Sequence, residues 1–196
     1  MSPAAVSPAA DSPVAVLVGP PGAGKSTVAR ELAERMMVAM HDTDEAVEAV
    51  AGRTISEIFT SDGEAAFRDL EEHAVAAALT QQHGVVALGG GAVLSAATRA
   101  RLAGHTVVFL NVGMAEGVRR SGMSSARPLL AGINPRSTFK ALLDARLPLY
   151  REVATVEVST DGRPVGTVVD EVLSALGHDE PRGVEPRGVE QRRSQQ

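Results

Sequence analysis

Short apolar runs alternate along this chain with longer stretches in which apolar residues return every third or fourth position. Ala15 to Val18 is an uninterrupted apolar run, which predicts a strand buried on both faces. Thr27 to Glu34 then reads as a helix, with Val28, Leu32 and Met36 along one face. Met36 to Met40 predicts a second strand, ending in His41-Asp42-Thr43-Asp44. A helix follows over 45–51 and stops at Gly52. Thr54 to Phe59 predicts a short helix, and 64–82 a long alanine-rich one. Val85 to Leu88 is a buried strand running into Gly89-Gly90-Gly91. Ser95 to Leu102 is helical, Thr106 to Val112 is a β-branched strand, and Ala115 to Arg120 is a helix. Pro135 to Leu147 predicts a helix ending near Pro148, followed by a strand at Thr155 to Ser159 and a helix at Val165 to Leu176. This alternation predicts the α/β class: a parallel sheet covered by helices on both faces, with ligands bound beyond the carboxyl ends of its strands.

Composition narrows the picture. Hydrophobic residues make up 44% of the 196 residues but aromatics only 3%, so the core must be aliphatic. That length suits one domain, placed at 13–176. Residues 1–12 are rich in Ala, Pro and Ser, and 177–196 are charged and carry a tandem repeat, Glu-Pro-Arg-Gly-Val. Both ends read as disordered extensions. Cysteine is absent, which excludes disulfides, thiolate metal sites and cysteine nucleophiles and fits a cytoplasmic location. The net charge of −5 and the lack of a long apolar run argue against nucleic-acid and membrane partners.

The chemistry concentrates where strands are expected to end. Gly19-x-x-x-x-Gly24-Lys25-Ser26 between a strand and a helix is a phosphate-binding loop. Its backbone N–H groups, at Gly22, Ala23, Gly24 and on through Lys25, Ser26 and Thr27, converge on a polyanion. Lys25 can neutralise outer phosphates, and the Ser26 hydroxyl can ligate magnesium. Asp42 and Asp44, two apart, point the same way if the chain is extended there. One carboxylate would then hold Mg2+ and the other would orient a hydroxyl, although an aspartate at a strand end also caps the next helix. Gly89, Gly90 and Gly91 read as a close approach of ligand to backbone rather than a mere turn. Arg68, with Glu71 and Glu72 at i+3 and i+4, fits either a solvated salt-bridge face or an anion site. Arg146 stands among apolar neighbours, where a guanidinium needs an anion to pair with. Arg127 lies in a Gly-, Ser- and Pro-bearing stretch at 121–134 that reads as a mobile lid. Phe59 and Phe67 read first as core packing and second as the wall of a substrate pocket.

Together these pieces resemble shikimate kinase. The matching stretches are Gly19 to Thr27, Asp42-Thr-Asp44, Gly52-Arg-Thr-Ile-Ser-Glu-Ile-Phe59, Asp62-Gly-Glu-x-x-Phe-Arg68-x-x-Glu71, Leu88-Gly-Gly-Gly-Ala92, Arg127-Pro-Leu-Leu130 and Arg146-x-Pro-Leu-Tyr150, in order across 14–175. Ala103 to Val108 and Ala115 to Arg120 are similar to actinobacterial members. The resemblance implies a three-layer fold of the nucleoside-monophosphate-kinase type, with a five-stranded parallel sheet in order 2-3-1-4-5, a substrate-binding helical insertion at about 44–71 and a lid at about 121–134. It implies transfer of the ATP γ-phosphate to the 3-hydroxyl of shikimate, with Mg2+, by a monomeric enzyme of aromatic amino-acid biosynthesis. Residue by residue, it implies Lys25 on phosphate, Ser26 and Asp42 on magnesium, and Asp44 on the reacting hydroxyl. It places Arg68, Arg146 and the Gly89 to Gly91 backbone, with Glu71, Phe59 and Phe67 beside them, at shikimate. Arg127 falls on the transferring phosphate, and Arg120, Arg163 and Pro164 flank adenine, the 160–164 stretch being one residue shorter than in some relatives. A gluconate-type kinase of the same architecture and a non-catalytic nucleotide-binding module are the competing readings.

Overall fold

The computed structural model describes residues 12–121 and 135–178. The expected lid, its Arg127, and nearly all of both terminal extensions therefore lie outside the described residues. Among these residues five strands form one parallel sheet: β1 (Ala15–Val18), β2 (Met40–Asp42), β3 (Val85–Ala87), β4 (Val107–Asn111) and β5 (Val156–Ser159), in the order β2-β3-β1-β4-β5. The central strand β1 pairs with β3 through Val16↔Val86 and with β4 through Leu17↔Val108. Strand alternation sorts the core into two layers. Ala15, Leu17, Val85, Ala87, Val108 and Leu110 face α1 (Lys25–Met36) and α8 (Val165–Ala175). Val16, Val18, Val86, Val107 and Phe109 face α4 (Gly63–Gln81), α5 (Ala96–Leu102) and α7 (Pro135–Val153). A third, smaller core of Val47, Ile58 and Phe67 joins α2 (Thr43–Ala51), α3 (Ile55–Ser61) and α4. The edge strands β2 and β5 are only partly buried, unlike the apolar-on-both-faces pattern expected for every strand. A 3₁₀ turn at Ala92–Leu94 follows the three glycines, and α6 (Met114–Ser121) follows β4.

Two boundaries differ from the sequence reading. Met36–Met40 is not a strand. Methionine is a good helix former, so α1 runs through Met36 and ends in a left-handed turn at Met37, φ 54°. The Val38 N–H then donates to Ala33 O at 3.0 Å, which closes a Schellman motif and delays β2 to Met40. Met37 is 92% exposed, so its side chain gains little from the packing while its backbone bears the left-handed strain. Met37→Gly is therefore expected to stabilise the fold by about 0.5–1 kcal/mol. Urea unfolding checks this through a raised midpoint at unchanged slope.

The second difference is Pro148, which does not end α7; the helix continues to Val153. Proline removes one backbone hydrogen bond. The apolar face on either side compensates, because Leu147, Leu149, Tyr150 and Val153 all pack onto the sheet core. Phe139, earlier on the same helix, lies over Gly117 of α6, where a β-carbon would run into its ring.

Candidate active site

The loop between β1 and α1 crosses the carboxyl end of the central strand. Gly22 has φ 79°, and a β-carbon there would stand 2.8 Å from Gly117 O. Gly24 has φ 86° and forms the N-cap of α1 with no side-chain cap, which leaves the helix amides directed at the loop's concavity. Lys25 is buried, and its Nζ donates to Gly19 O at 2.9 Å and Pro20 O at 3.3 Å. This holds the ammonium at the loop, where the outer phosphates of a nucleotide belong. Ala23 is buried beneath the loop, and Ser26 and Thr27 face out of it.

Asp42 and Asp44 meet this loop by a different route from the one expected. The chain is not extended through both: Asp42 is the N-cap of α2, and Asp44 already lies in its first turn. Asp42 Oδ1 accepts the Asp44 N–H at 2.9 Å, while its Oδ2 accepts from Ser26 Oγ at 2.6 Å. The capping reading therefore holds for the carboxylate that the metal reading also names. Ser26 Oγ and Asp42 Oδ2 form an oxygen pair at the mouth of the phosphate loop. Among the described residues no cluster of three or more His, Cys, Asp or Glu side chains is placed to hold a metal. One hydroxyl and one carboxylate beside a phosphate cradle suit magnesium, a hard cation that takes a few protein oxygens and completes its shell with phosphate and water. A cleft of about 300 Å3 is lined by Lys25, Ser26, Asp42, Asp44, Leu88 and Arg120, among others.

The three glycines after β3 each admit a different neighbour. At Gly89 a β-carbon would stand 2.5 Å from both Asp44 Oδ1 and Glu71 Oε1, so two carboxylates close on this backbone. Its N–H donates to the hydroxyl of Thr43, which is completely buried. The Gly90 carbonyl accepts from Arg146 Nη1 at 3.0 Å and from the Tyr150 hydroxyl at 2.6 Å. Gly90 also packs on Pro21 of the phosphate loop. Gly91 lies under the Arg68 guanidinium, whose Cζ would be 2.7 Å from an added β-carbon. An added β-carbon at any of these three glycines would thus meet a protein side chain.

Arg68 gives its Nη1 to Glu71 at 2.7 Å and its Nη2 to Glu64 at 2.9 Å. Glu72, the other acid expected beside it, turns away to Ser95 and Arg101. Burial pushes the Glu71 carboxyl above its ordinary value of 4.5, and the Arg68 and Arg146 charges oppose that shift while Asp44 adds to it. Arg146 is only 8% exposed, and among the described residues no carboxylate forms an ion pair with it. A guanidinium so buried, with one backbone carbonyl as its partner among the described residues, keeps donors with which it could receive an anion. Phe67 belongs to the small core and packs against the half-buried Phe59 with centroids 4.7 Å apart and the rings tilted by 37°, with Arg68 over its ring.

At the far end of the cleft, Arg120 donates to Thr160 O at 3.1 Å and to Glu116 at 2.7 Å. The Arg119 and Arg120 partners together hold the Glu116 carboxyl down at about 2. Arg163 is directed elsewhere: its guanidinium bonds Ser159 O and Thr167 O and pairs with Glu171. Pro164 is exposed and caps α8. The fold therefore brings Lys25, Ser26, Asp42, Asp44 and Arg120 to one cleft, and Arg68, Glu71 and Arg146 to the glycines beside it. Thr43, Tyr150, Pro21 and Glu64 were missed. Thr43 and Tyr150 stood inside motifs already singled out, and their buried hydroxyls are the signal that distinguishes them.

A phosphate loop on a parallel 2-3-1-4-5 sheet, with two aspartates and one arginine in its cleft and two more arginines at the glycines beside it, defines a small-molecule phosphotransferase of the nucleoside-monophosphate-kinase-like fold. The family model described as shikimate kinase matches residues 21–177. A shikimate kinase from Saccharopolyspora erythraea is 63% identical over 174 residues, which cover 89% of this chain and 99% of that protein. One from Mycobacterium tuberculosis is 53% identical over 165 residues, 84% of this chain and 94% of its own. A solved structure of the Acinetobacter baumannii shikimate kinase in complex with shikimate superposes with a TM-score of 0.81 at 35% identity, covering 84% of this chain and 92% of that one. The chain belongs to the shikimate kinase family.

Proposed function

We propose that this chain transfers the γ-phosphate of ATP to the 3-hydroxyl of shikimate. The observation that carries this is Arg146: a buried guanidinium without a carboxylate ion-pair partner among the described residues, bound to Gly90 between Arg68 at Gly91 and the acids at Gly89. A phosphate loop alone calls for a triphosphate. Two arginines beside a hydroxyl-orienting aspartate call for an acceptor that carries both a carboxylate and hydroxyls.

Arg68 and Arg146 hold the carboxylate of shikimate, while the Gly89 to Gly91 backbone and Glu71 shape the surrounding wall. Glu71 holds the Arg68 guanidinium in place through its 2.7 Å ion pair. Asp44 aligns the 3-hydroxyl and accepts its proton as the oxygen bonds to the γ-phosphorus. The bond from that phosphorus to the bridging β,γ-oxygen breaks, and ADP leaves. The loop amides from Gly22 to Thr27 and the Lys25 ammonium bind the phosphates. Ser26 and Asp42 would hold magnesium, which when bound would supply positive charge at the phosphates. Arg120 borders the adenine, together with Pro164; Arg163, just before the start of α8, is held by Ser159 O, Thr167 O and Glu171. Arg127 is assigned to the transferring phosphate from the sequence resemblance. The helices of 44–71 form the substrate-binding insertion, and 121–134 the lid.

No described helix is long and apolar enough to cross a membrane. A monomeric cytoplasmic enzyme without nucleic-acid or membrane partners is the reading that the family and the charge of −5 support. Light scattering is expected to return the mass of one chain; a two-chain mass would overturn that point. The catalytic reading itself is tested by coupled ADP release from ATP and Mg2+, with shikimate and with gluconate as separate acceptors. Shikimate-dependent release is expected. Release with gluconate and none with shikimate would reject the proposal.

A further inference from the structure

Tyr150 is completely buried, and two of its contacts bear on the site. Its ring stacks on Phe109 of the sheet, centroids 5.1 Å apart and planes 17° from parallel. Its hydroxyl donates to the Gly90 carbonyl at 2.6 Å, the oxygen to which Arg146 Nη1 also donates at 3.0 Å. Arg146 and Tyr150 are four residues apart on α7, so one helix face grips one carbonyl from two positions. A carbonyl oxygen has two lone pairs, and these two donors fill both.

We infer that Tyr150 is a positioning residue for the acceptor site, holding the Gly90 carbonyl so that Arg146 spends only one of its five N–H donors on the described residues. Without the hydroxyl, the second lone pair of Gly90 O is left unsatisfied next to a guanidinium that can fill it. Arg146 would then swing a second N–H onto the carbonyl and withdraw it from an incoming carboxylate. The phosphate loop would feel less of this change, since it touches Gly90 through Pro21 packing rather than through the carbonyl. The inference rests on Arg146 receiving the carboxylate of the acceptor, and the experiment separates the two claims.

The test compares steady-state kinetics of the wild type, Tyr150→Phe and Phe109→Leu, with the thermal midpoint of each. Tyr150→Phe keeps the ring and removes only the hydroxyl. It is expected to raise the shikimate KM roughly 3- to 10-fold, the worth of one buried hydrogen bond, while kcat and the ATP KM stay essentially unchanged. Phe109→Leu loosens the packing behind Tyr150 but leaves the hydroxyl, and it is expected to lower the thermal midpoint without that KM change. A Tyr150→Phe enzyme with unchanged shikimate KM overturns the inference. So do equal KM changes in both variants, an equal rise in the ATP KM, or a Tyr150→Phe chain that fails to fold, since each makes the hydroxyl a prop of the fold and not of the site. Failure of the wild type itself to use shikimate rejects the proposed function instead.

Discussion

Asp44→Asn is expected to lower kcat by about 10²- to 10⁴-fold while MgATP binds as before, the span typical of losing a positioned general base. The geometry separates the two effects. Magnesium is assigned to Asp42, which keeps both its contacts, Ser26 Oγ and the residue-44 amide, when the side chain at 44 changes from carboxylate to amide. The asparagine preserves volume and the first turn of α2. What it loses is the charge and the basic oxygen that stand against Gly89 beside the cleft. Nucleotide titration of the variant, set beside single-turnover rates, checks the separation. A kcat within tenfold of wild type would remove Asp44 from the chemistry.

The second large effect belongs to the arginines. Arg146→Ala is expected to raise the shikimate KM roughly 10- to 100-fold, the range for a charge-assisted hydrogen bond, and to leave the ATP KM nearly unchanged. Because Arg146 also bonds Gly90, the variant's thermal midpoint must accompany the kinetics. Gly91→Ala reaches the same subsite without touching Arg146. Its methyl group enters the space of the Arg68 guanidinium, whose Cζ would be 2.7 Å away. Arg68 can move, because it is the end of a flexible side chain, but moving carries it off the substrate position. The expected result is again a raised shikimate KM with ATP binding preserved. Equal effects on both substrates in these two variants would reject the carboxylate assignment.

The sequence spelled out most of the fold and much of the site, for reasons that differ from residue to residue. The phosphate loop was legible because its chemistry is local: three glycines, a lysine and a serine act from positions set by a single turn. The three glycines at 89–91 were legible as a close approach, but not what approaches them. Asp44, Glu71, Arg68, Arg146 and Tyr150 come from three helices, and only tertiary packing brings them together. Arg68 shows the same limit on one helix. Glu64, Glu71 and Glu72 all stand within helical reach of it, and burial of one face decides that Glu64 and Glu71 take it while Glu72 goes to Ser95 and Arg101. Met36 to Met40 misled because methionine suits a helix as well as a short apolar strand. Pro148 misled because the loss of one backbone bond was weighed without the apolar contacts that carry α7 past it.

The most direct test of the account is the structure of the product. Purified protein with ATP, Mg2+ and shikimate is followed by phosphorus and carbon NMR, with ADP measured in parallel. One phosphate ester on the 3-oxygen of shikimate is expected for each ADP formed. ADP without an ester, or an ester on another oxygen, would contradict the placement of Asp44 against the 3-hydroxyl and with it the central claim.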